Sequence, residues 1–149
     1  MTDTQLPASR WPFTLYRALV SLEAVMLITQ AALAGGFLSG HFEALAMHES
    51  NASALSVVNL VATVFAVLLH RKGSGPAWPA WMNGALVVVI PVEHFLGIQR
   101  ILTAHIPLAL LIMTSVAYLL AWSWRTPLPS QKSSVVAPTD AGERIGAAS

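Results

Sequence analysis

The chain has no cysteine and few charged side chains among its 149 residues. Without cysteine it can form neither disulfide bonds nor metal sites ligated by thiolates. Asp, Glu, Lys and Arg make up only 10% of the sequence, against about 25% in an average soluble domain. The net charge of +1 also lacks the basic excess that marks nucleic-acid binding. We therefore expect neither a disulfide scaffold, nor an ordinary soluble domain, nor a nucleic-acid partner.

Apolar residues are abundant: 55% of the chain is hydrophobic, and the mean hydropathy is +0.63. A helix needs roughly 20 apolar residues to cross a bilayer, and lipid requires every backbone group to be hydrogen-bonded within the segment. Four stretches are long enough: 18–40, 52–70, 78–97 and 101–124. Short connections make consecutive helices antiparallel neighbours. The sequence predicts an all-α fold, an up-down-up-down four-helix bundle that lies in the lipid bilayer.

The expected domain organisation is one membrane unit with short flanks. Residues 1–12 form an N-terminal segment and residues 13–124 the four-helix transmembrane domain. Residues 125–149 are rich in proline and small polar residues and predict a disordered tail. The Ala-Leu-Ala sequence at 32–34 resembles a signal-peptide cleavage site, but cleavage there would remove half of a repeated hairpin. We therefore interpret the stretch 18–40 as a membrane helix.

The basic residues are unevenly distributed between the two sides of the predicted bundle. Arg100 follows the third stretch, and the other basic residues fall on the opposite side: Arg10, Arg17, Arg71, Lys72, Arg125, Lys132 and Arg144. The positive-inside rule then predicts a protein of the cell membrane with both termini in the cytoplasm. All five tryptophans also fall at these ends of the helices, as an interfacial aromatic belt does.

A short histidine pattern marks both hairpins, so the bundle is predicted to consist of two repeated helical hairpins. The pattern Gly-x7-His-x3-Ala occurs at Gly40, His48 and Ala52 and again at Gly97, His105 and Ala109. An ionisable side chain in a membrane segment is a candidate for function. The second and fourth helices lie diagonally in such a bundle, so His48 and His105 are expected to face each other. Two opposed imidazoles can be axial ligands of a haem iron, although either histidine could instead extend to the lipid headgroups.

The repeat also carries a family resemblance. Together with the run Leu-Thr-Ala-His-Ile-Pro-Leu-Ala-Leu-Leu at 102–111, it resembles one four-helix half of a haem A synthase-type membrane protein, and also small uncharacterised bacterial four-helix membrane proteins. This resemblance implies a b-type haem on His48 and His105. Two departures are that only one half is present and that the family's Glu-x-x-His-Arg signature is replaced by Glu-Ala-Leu-Ala-Met-His-Glu at 43–49. These departures favour haem binding over haem modification.

Three further polar residues are candidates for the surroundings of a cofactor. Glu93 and His94 follow Pro91 in the third stretch, near the expected depth of the paired histidines. They could bind a haem propionate, a quinone headgroup or a proton, or Glu93 could pair with Arg100. Asn59 lies on the same helix face as His48, among small residues. That face either makes room for a planar ligand or allows close helix packing, and Asn59 is expected to hydrogen-bond a neighbouring helix.

The sequence therefore predicts one b-type haem bound by His48 and His105 and an electron-transfer function, with a quinol or a redox membrane protein as the partner. A stand-alone enzyme is not expected. One alternative is a cofactor-free accessory or scaffold subunit whose polar residues serve helix packing. Another is a small transporter that uses Glu23 and Glu93, which requires a water-filled path between the two carboxylates. The oligomeric state does not follow from the sequence.

Overall fold

A computed structural model describes residues 11–73 and 75–127, which contain four helices and no strands. The helices are α1 (Trp11–Leu38), α2 (Glu43–Gly73), α3 (Trp78–Ile98) and α4 (Leu102–Arg125). Each is long and apolar enough to cross a membrane. The all-α membrane fold is confirmed for these residues. Most of the predicted N-terminal segment and tail lies outside the described residues.

Two helices begin earlier than the sequence indicated. α1 begins at Trp11 rather than at residue 18, and α2 begins at Glu43 rather than at residue 52. The apolar stretch underestimates a membrane helix because backbone hydrogen bonds continue into the interfacial region, where polar residues are tolerated. His48 consequently lies in the second turn of α2. The sequence placed His48 at the start of the second helix; the structure places it five residues after that start.

The four helices form a closed ring in chain order. Each helix packs against its neighbour in sequence, and α4 also packs against α1. Among the described helices, α1 and α3 lie on one diagonal and α2 and α4 on the other. The α1–α2 connection turns at Gly40, whose φ of 95° favours glycine. This arrangement is the expected up-down-up-down bundle.

The interior reproduces the duplication seen in the sequence. On α2, Leu55, Asn59, Ala62 and Ala66 are buried at seven, eleven, fourteen and eighteen residues after His48. On α4, the buried residues at the same distances after His105 are Ile112, Val116, Leu119 and Ser123. Identical burial at identical offsets means that both helices turn the same face inward. The two histidines therefore enter the bundle in equivalent positions.

The bundle has two chemically different ends. The histidine end holds His48 and His105. The basic end holds Arg17, Arg71, Lys72 and Arg125, together with the tryptophans, and its aromatic rings interlock. There Arg17 crosses from α1 to α4, where its Nε and Nη2 donate to the carbonyl oxygen of Ser123 at 3.0 and 2.7 Å. This contact fixes the end of α4, whose last carbonyls lack partners within the helix.

Candidate functional site

His48 and His105 face each other across the diagonal between α2 and α4. Their ring centroids are 6.4 Å apart, and the ring planes are inclined by 59°. The two helix backbones do not touch, so the imidazoles bridge the interior at this end. The sequence-based expectation that the two rings meet at a similar depth agrees with this geometry.

Both imidazoles are held in the same way by the preceding helix of their own hairpin. Nδ1 of His48 lies 3.0 Å from the carbonyl oxygen of Gln30, and Nδ1 of His105 lies 3.0 Å from that of Glu93. Because a carbonyl oxygen only accepts, Nδ1 carries the hydrogen in each ring. Nε2 of each neutral imidazole then has a free lone pair, the form in which histidine ligates a metal. No described residue hydrogen-bonds either Nε2 atom.

Glu93 makes a second contact with His105 through its side chain. Its Oε1 lies 2.9 Å from Nδ1 of His105, and both side chains are largely buried, at 13% and 16% exposure. A carboxylate on the outer nitrogen of an imidazole orients the ring and strengthens it as a metal ligand. The structure thus brings Glu93 to the histidine pair. Arg100, the alternative partner considered for Glu93, is exposed in the α3–α4 connection.

The first hairpin replaces this carboxylate with an amide network. Nε2 of Gln30 donates to the backbone oxygen of His48 at 3.0 Å, and Nδ2 of Asn51 donates to Oε1 of Gln30 at 2.6 Å. Nδ2 of Asn51 also lies 3.0 Å from the carbonyl oxygen of Met26. Sequence reasoning missed Asn51. Its position three residues after His48, on the same side of the helix, was the available signal.

Gly97 makes room for the His105 ring. A Cβ atom at this position would lie 2.9 Å from Cε1 and 3.0 Å from Nδ1 of His105, closer than a side chain can approach. The second glycine of the repeated pattern thus allows close approach of an imidazole, whereas Gly40 serves a backbone turn.

His94 lies beside this pair with an unused nitrogen. Its side chain is half-buried, and its Nε2 is buried without a hydrogen-bond partner. It lies close enough to His48 and Glu93 to interact with both electrostatically. The structure therefore brings four of the candidate residues to the histidine end: His48, Glu93, His94 and His105.

Asn59 does not join this group. It follows His48 by eleven residues along α2, a rise of about 16 Å in a helix, and its Nδ2 donates to Oε1 of Glu23 at 3.2 Å. The expected hydrogen bond to a neighbouring helix is present. A second buried polar pair, in which Asn83 donates to the hydroxyl of Tyr16 at 2.9 Å, was missed because the two residues are 67 positions apart and no shared motif connects them. Neither pair contacts the imidazoles.

The donor set at the histidine end suits a metal that needs few protein ligands. No described cluster of three or more His, Asp or Glu side chains is arranged to hold a metal ion. A structural zinc site commonly takes four protein ligands and a catalytic one three, whereas haem iron takes only its axial ligands from the protein. Two imidazoles with centroids 6.4 Å apart, each with an Nε2 atom that no described residue hydrogen-bonds, fit the second requirement.

The described residues thus define a four-helix membrane bundle with a polar site at one end. No protein-family model, curated protein or solved structure matches the chain. The resemblance of the run 102–111 to haem A synthase-type proteins therefore stays an expectation, and the function must be inferred from the geometry of the imidazoles.

Proposed function

We propose that this membrane protein binds one b-type haem through His48 and His105 and transfers electrons. The observation that carries the proposal is the separation of the two rings. A bond from an imidazole nitrogen to a transition metal is about 2 Å long, and the nitrogen lies about 1 Å from the ring centroid. Two imidazoles on opposite sides of one metal therefore have centroids about 6 Å apart, which agrees with the 6.4 Å between His48 and His105.

The chain holds these imidazoles ready for ligation. Each Nδ1–H donates to a backbone carbonyl, on Gln30 or Glu93, so neither ring needs to change tautomer. Such contacts on the outer nitrogen fix ring orientation and raise ligand basicity. A bound haem would supply one-electron redox chemistry, and His48 and His105 would be its two protein ligands. This arrangement favours electron transfer over catalysis at an open iron.

Glu93 makes the two ligands unequal in this proposal. Its carboxylate lies 2.9 Å from Nδ1 of His105, whereas His48 receives only the neutral carbonyl of Gln30. Negative charge beside one ligand stabilises the oxidised iron relative to the reduced form. Glu93 therefore serves to lower the midpoint potential, and His94 lies near enough to modulate it further.

The surface around the histidine end is as apolar as the sides of the helices, so a lipid-soluble electron donor or acceptor can reach it through the bilayer. Large apolar side chains are exposed there: Leu38 at 80%, Phe42 at 75%, and Phe95 and Ile98 each at 58%. Such a rim suits a quinol that approaches from the bilayer, and a redox membrane protein could dock on the same face. With both termini in the cytoplasm, as the charge distribution predicts, this exchange takes place in the outer leaflet of the cell membrane.

The test is an absorption and pyridine haemochrome spectrum of the detergent-purified protein. The wild type should contain one haem b with sharp reduced-state bands and poor carbon monoxide binding. His48→Ala and His105→Ala should each lose the haem or become carbon monoxide-binding, because each removes one iron ligand. His70→Ala is the matched control, since its Nδ1 contacts the Gly75 carbonyl at the basic end.

Two outcomes would contradict the assignment in different ways. Wild-type protein that stays colourless despite ample haem supply would overturn haem binding and favour the scaffold alternative. Loss of haem in His94→Ala with full retention in His48→Ala would mean that His94 is an axial ligand in place of His48.

A further inference from the structure

A second polar site lies in the middle of the bundle, away from the histidines. On α1, Tyr16, Glu23 and Gln30 occur at intervals of seven residues and share one face. Each is hydrogen-bonded to a side chain of another helix. Glu23 and its partner Asn59 are both at 0% exposure. An ionisable side chain so placed in a membrane helix is a candidate for function.

Glu23 and Asn59 each have one side-chain oxygen without a hydrogen-bond partner in the described part of the chain. Nδ2 of Asn59 donates to Oε1 of Glu23 at 3.2 Å, but Oε2 of Glu23 and Oδ1 of Asn59 are buried without a partner in the described part of the chain. Oε2 of an ionised glutamate and the amide Oδ1 of an asparagine can both only accept hydrogen bonds. What they lack is therefore a donor or a positive charge, and leaving them unpaired in a buried site is costly.

One proton satisfies both atoms. A proton on Oε2 of Glu23 can be donated to Oδ1 of Asn59, which would close a pair of opposed hydrogen bonds between a carboxyl group and an amide. The same proton removes the buried negative charge. No further group is needed at the site.

We propose that Glu23 and Asn59 form a proton-binding site and that its proton is released when the haem is oxidised; the second statement rests on the proposed function. Asn59, whose Nδ2 donates to Oε1 of Glu23, follows His48 by eleven residues on α2, a rise of about 16 Å. At this distance in a weakly polar interior, charges interact appreciably. Oxidation of a haem held by His48 and His105 would add one positive charge, and Glu23 would balance it by releasing the proton from Oε2.

Tyr16 is the next polar side chain of this face of α1 towards the basic end. Its hydroxyl accepts a hydrogen bond from Asn83, which leaves its own hydrogen free to be donated, and it lies close enough to Glu23 to interact electrostatically. A hydroxyl can accept one proton as it passes another on. Tyr16 is about 10 Å from Glu23 along α1 and is not hydrogen-bonded to it, so a proton leaving Oε2 of Glu23 in this direction must be carried between them by water.

Few other charges act on Glu23. Among the described residues, α1 contributes Tyr16 to the core, whereas Arg17 is half-buried at the basic end against the carbonyl oxygens of Ser123 and Thr126. α3 and α2 contribute the uncharged Asn83 and Asn59 to the core. α4 contributes apolar side chains at the middle depth. The remaining titratable groups near the core are those of the histidine end: His48, Glu93, His94 and His105.

The first test is independent of haem and uses infrared spectroscopy of the full-length protein near pH 7. The carbonyl stretch of a neutral carboxyl group should be present in the wild type and absent in Glu23→Gln. The variant keeps the shape of the side chain and can still pair with Asn59. Glu93→Gln is the control and should retain the band. Asn59→Leu should shift the band to higher frequency, because the proton then has no acceptor.

Two results would overturn the proton site. One is a wild-type spectrum with no Glu23-dependent band. The other is a band that appears only when sodium is withdrawn from the buffer, which would mean that a metal cation neutralises the carboxylate.

The second test uses the haem-loaded protein. Its midpoint potential should fall as pH rises in the wild type, and this dependence should be markedly weaker in Glu23→Gln, with an unchanged visible spectrum. Equal slopes in both proteins would overturn the redox-linked release. A colourless wild type that nevertheless shows the Glu23-dependent band would refute haem binding and the linked proton release but support the proton site.

Discussion

The imidazole of His105 lies directly against the backbone of Gly97. A Cβ atom on Gly97 would lie 2.9 Å from Cε1 of the ring. The ring cannot simply move away, because Nδ1 is held by the carbonyl oxygen of Glu93 at 3.0 Å and by its carboxylate at 2.9 Å. One glycine therefore sets where a candidate metal ligand can lie.

Substitution of Gly97 by alanine should weaken haem binding without unfolding the bundle. The added methyl group forces the His105 ring out of its position, and overpacking of this kind costs about 1–3 kcal/mol. If the methyl group destabilises the haem-bound protein by about 1.4 kcal/mol relative to the apoprotein, haem affinity decreases about tenfold. Haem titration of the purified apoprotein measures the change.

Gly35→Ala is the matched control for this substitution. A Cβ atom on Gly35 meets no other atom within 4 Å, so this variant should bind haem like the wild type. Equal affinity of the Gly97 and Gly35 variants would show that the position of the His105 ring does not limit haem binding.

Replacing Glu93 by glutamine should retain the haem but raise its midpoint potential. The backbone carbonyl of Glu93 still accepts from Nδ1 of His105, whereas the negative charge beside the ring is lost. Groups that contact a ligand from outside tune the metal and are not themselves ligands. Redox titration followed by visible absorption measures the shift. Glu49→Gln, on the exposed face of α2, should leave the potential unchanged, and an equal shift in both variants would contradict the local role of Glu93.

The helical class and the helix order follow from the sequence because they depend on the length and composition of apolar stretches. The meeting of His48 and His105 was also predictable, since a repeated pattern on alternate helices of a four-helix bundle places equivalent residues across a diagonal. The similar depth of the two histidines could be predicted by counting residues, because each residue of a helix adds a fixed rise. These inferences used periodicity and chain order alone.

Other parts of the site could not be predicted because they depend on rotation about the helix axes and on side-chain conformation. Asn59 lies on the same inward face of α2 as His48, but it hydrogen-bonds Glu23 at a different depth in the bundle. The contact between Gly97 and His105 depends on how closely α3 and α4 approach. Tyr16 and Asn83 are 67 positions apart, and no spacing rule connects them. The spacing of Asn51 from His48 places it on the right side of α2, but its contact with Gln30 of α1 depends on how the two helices pack.

Substitution of Arg17 by methionine should destabilise the bundle at its basic end. The guanidinium donates to the carbonyl oxygens of Ser123 and Thr126, and its removal leaves the end of α4 without these partners. Hydrogen bonds to a charged group each contribute about 1.5–3 kcal/mol, so a loss of at least that size is expected. Thermal unfolding in detergent measures it. Arg71→Met, at an exposed position on α2, is the control, and similar melting temperatures for both variants would refute the role of Arg17.

The last prediction concerns orientation. Seven of the eight basic residues fall on one side of the four helices and only Arg100 on the other, so the basic end should lie in the cytoplasm. Reporter fusions at Lys72 and at the C-terminus should read as cytoplasmic, and a fusion within residues 39–41 should read as external. An external C-terminus would show that the bundle has the opposite orientation in the membrane. It would also move His48 and His105 to the inner leaflet, where the electron donor or acceptor would have to come from the cytoplasmic side.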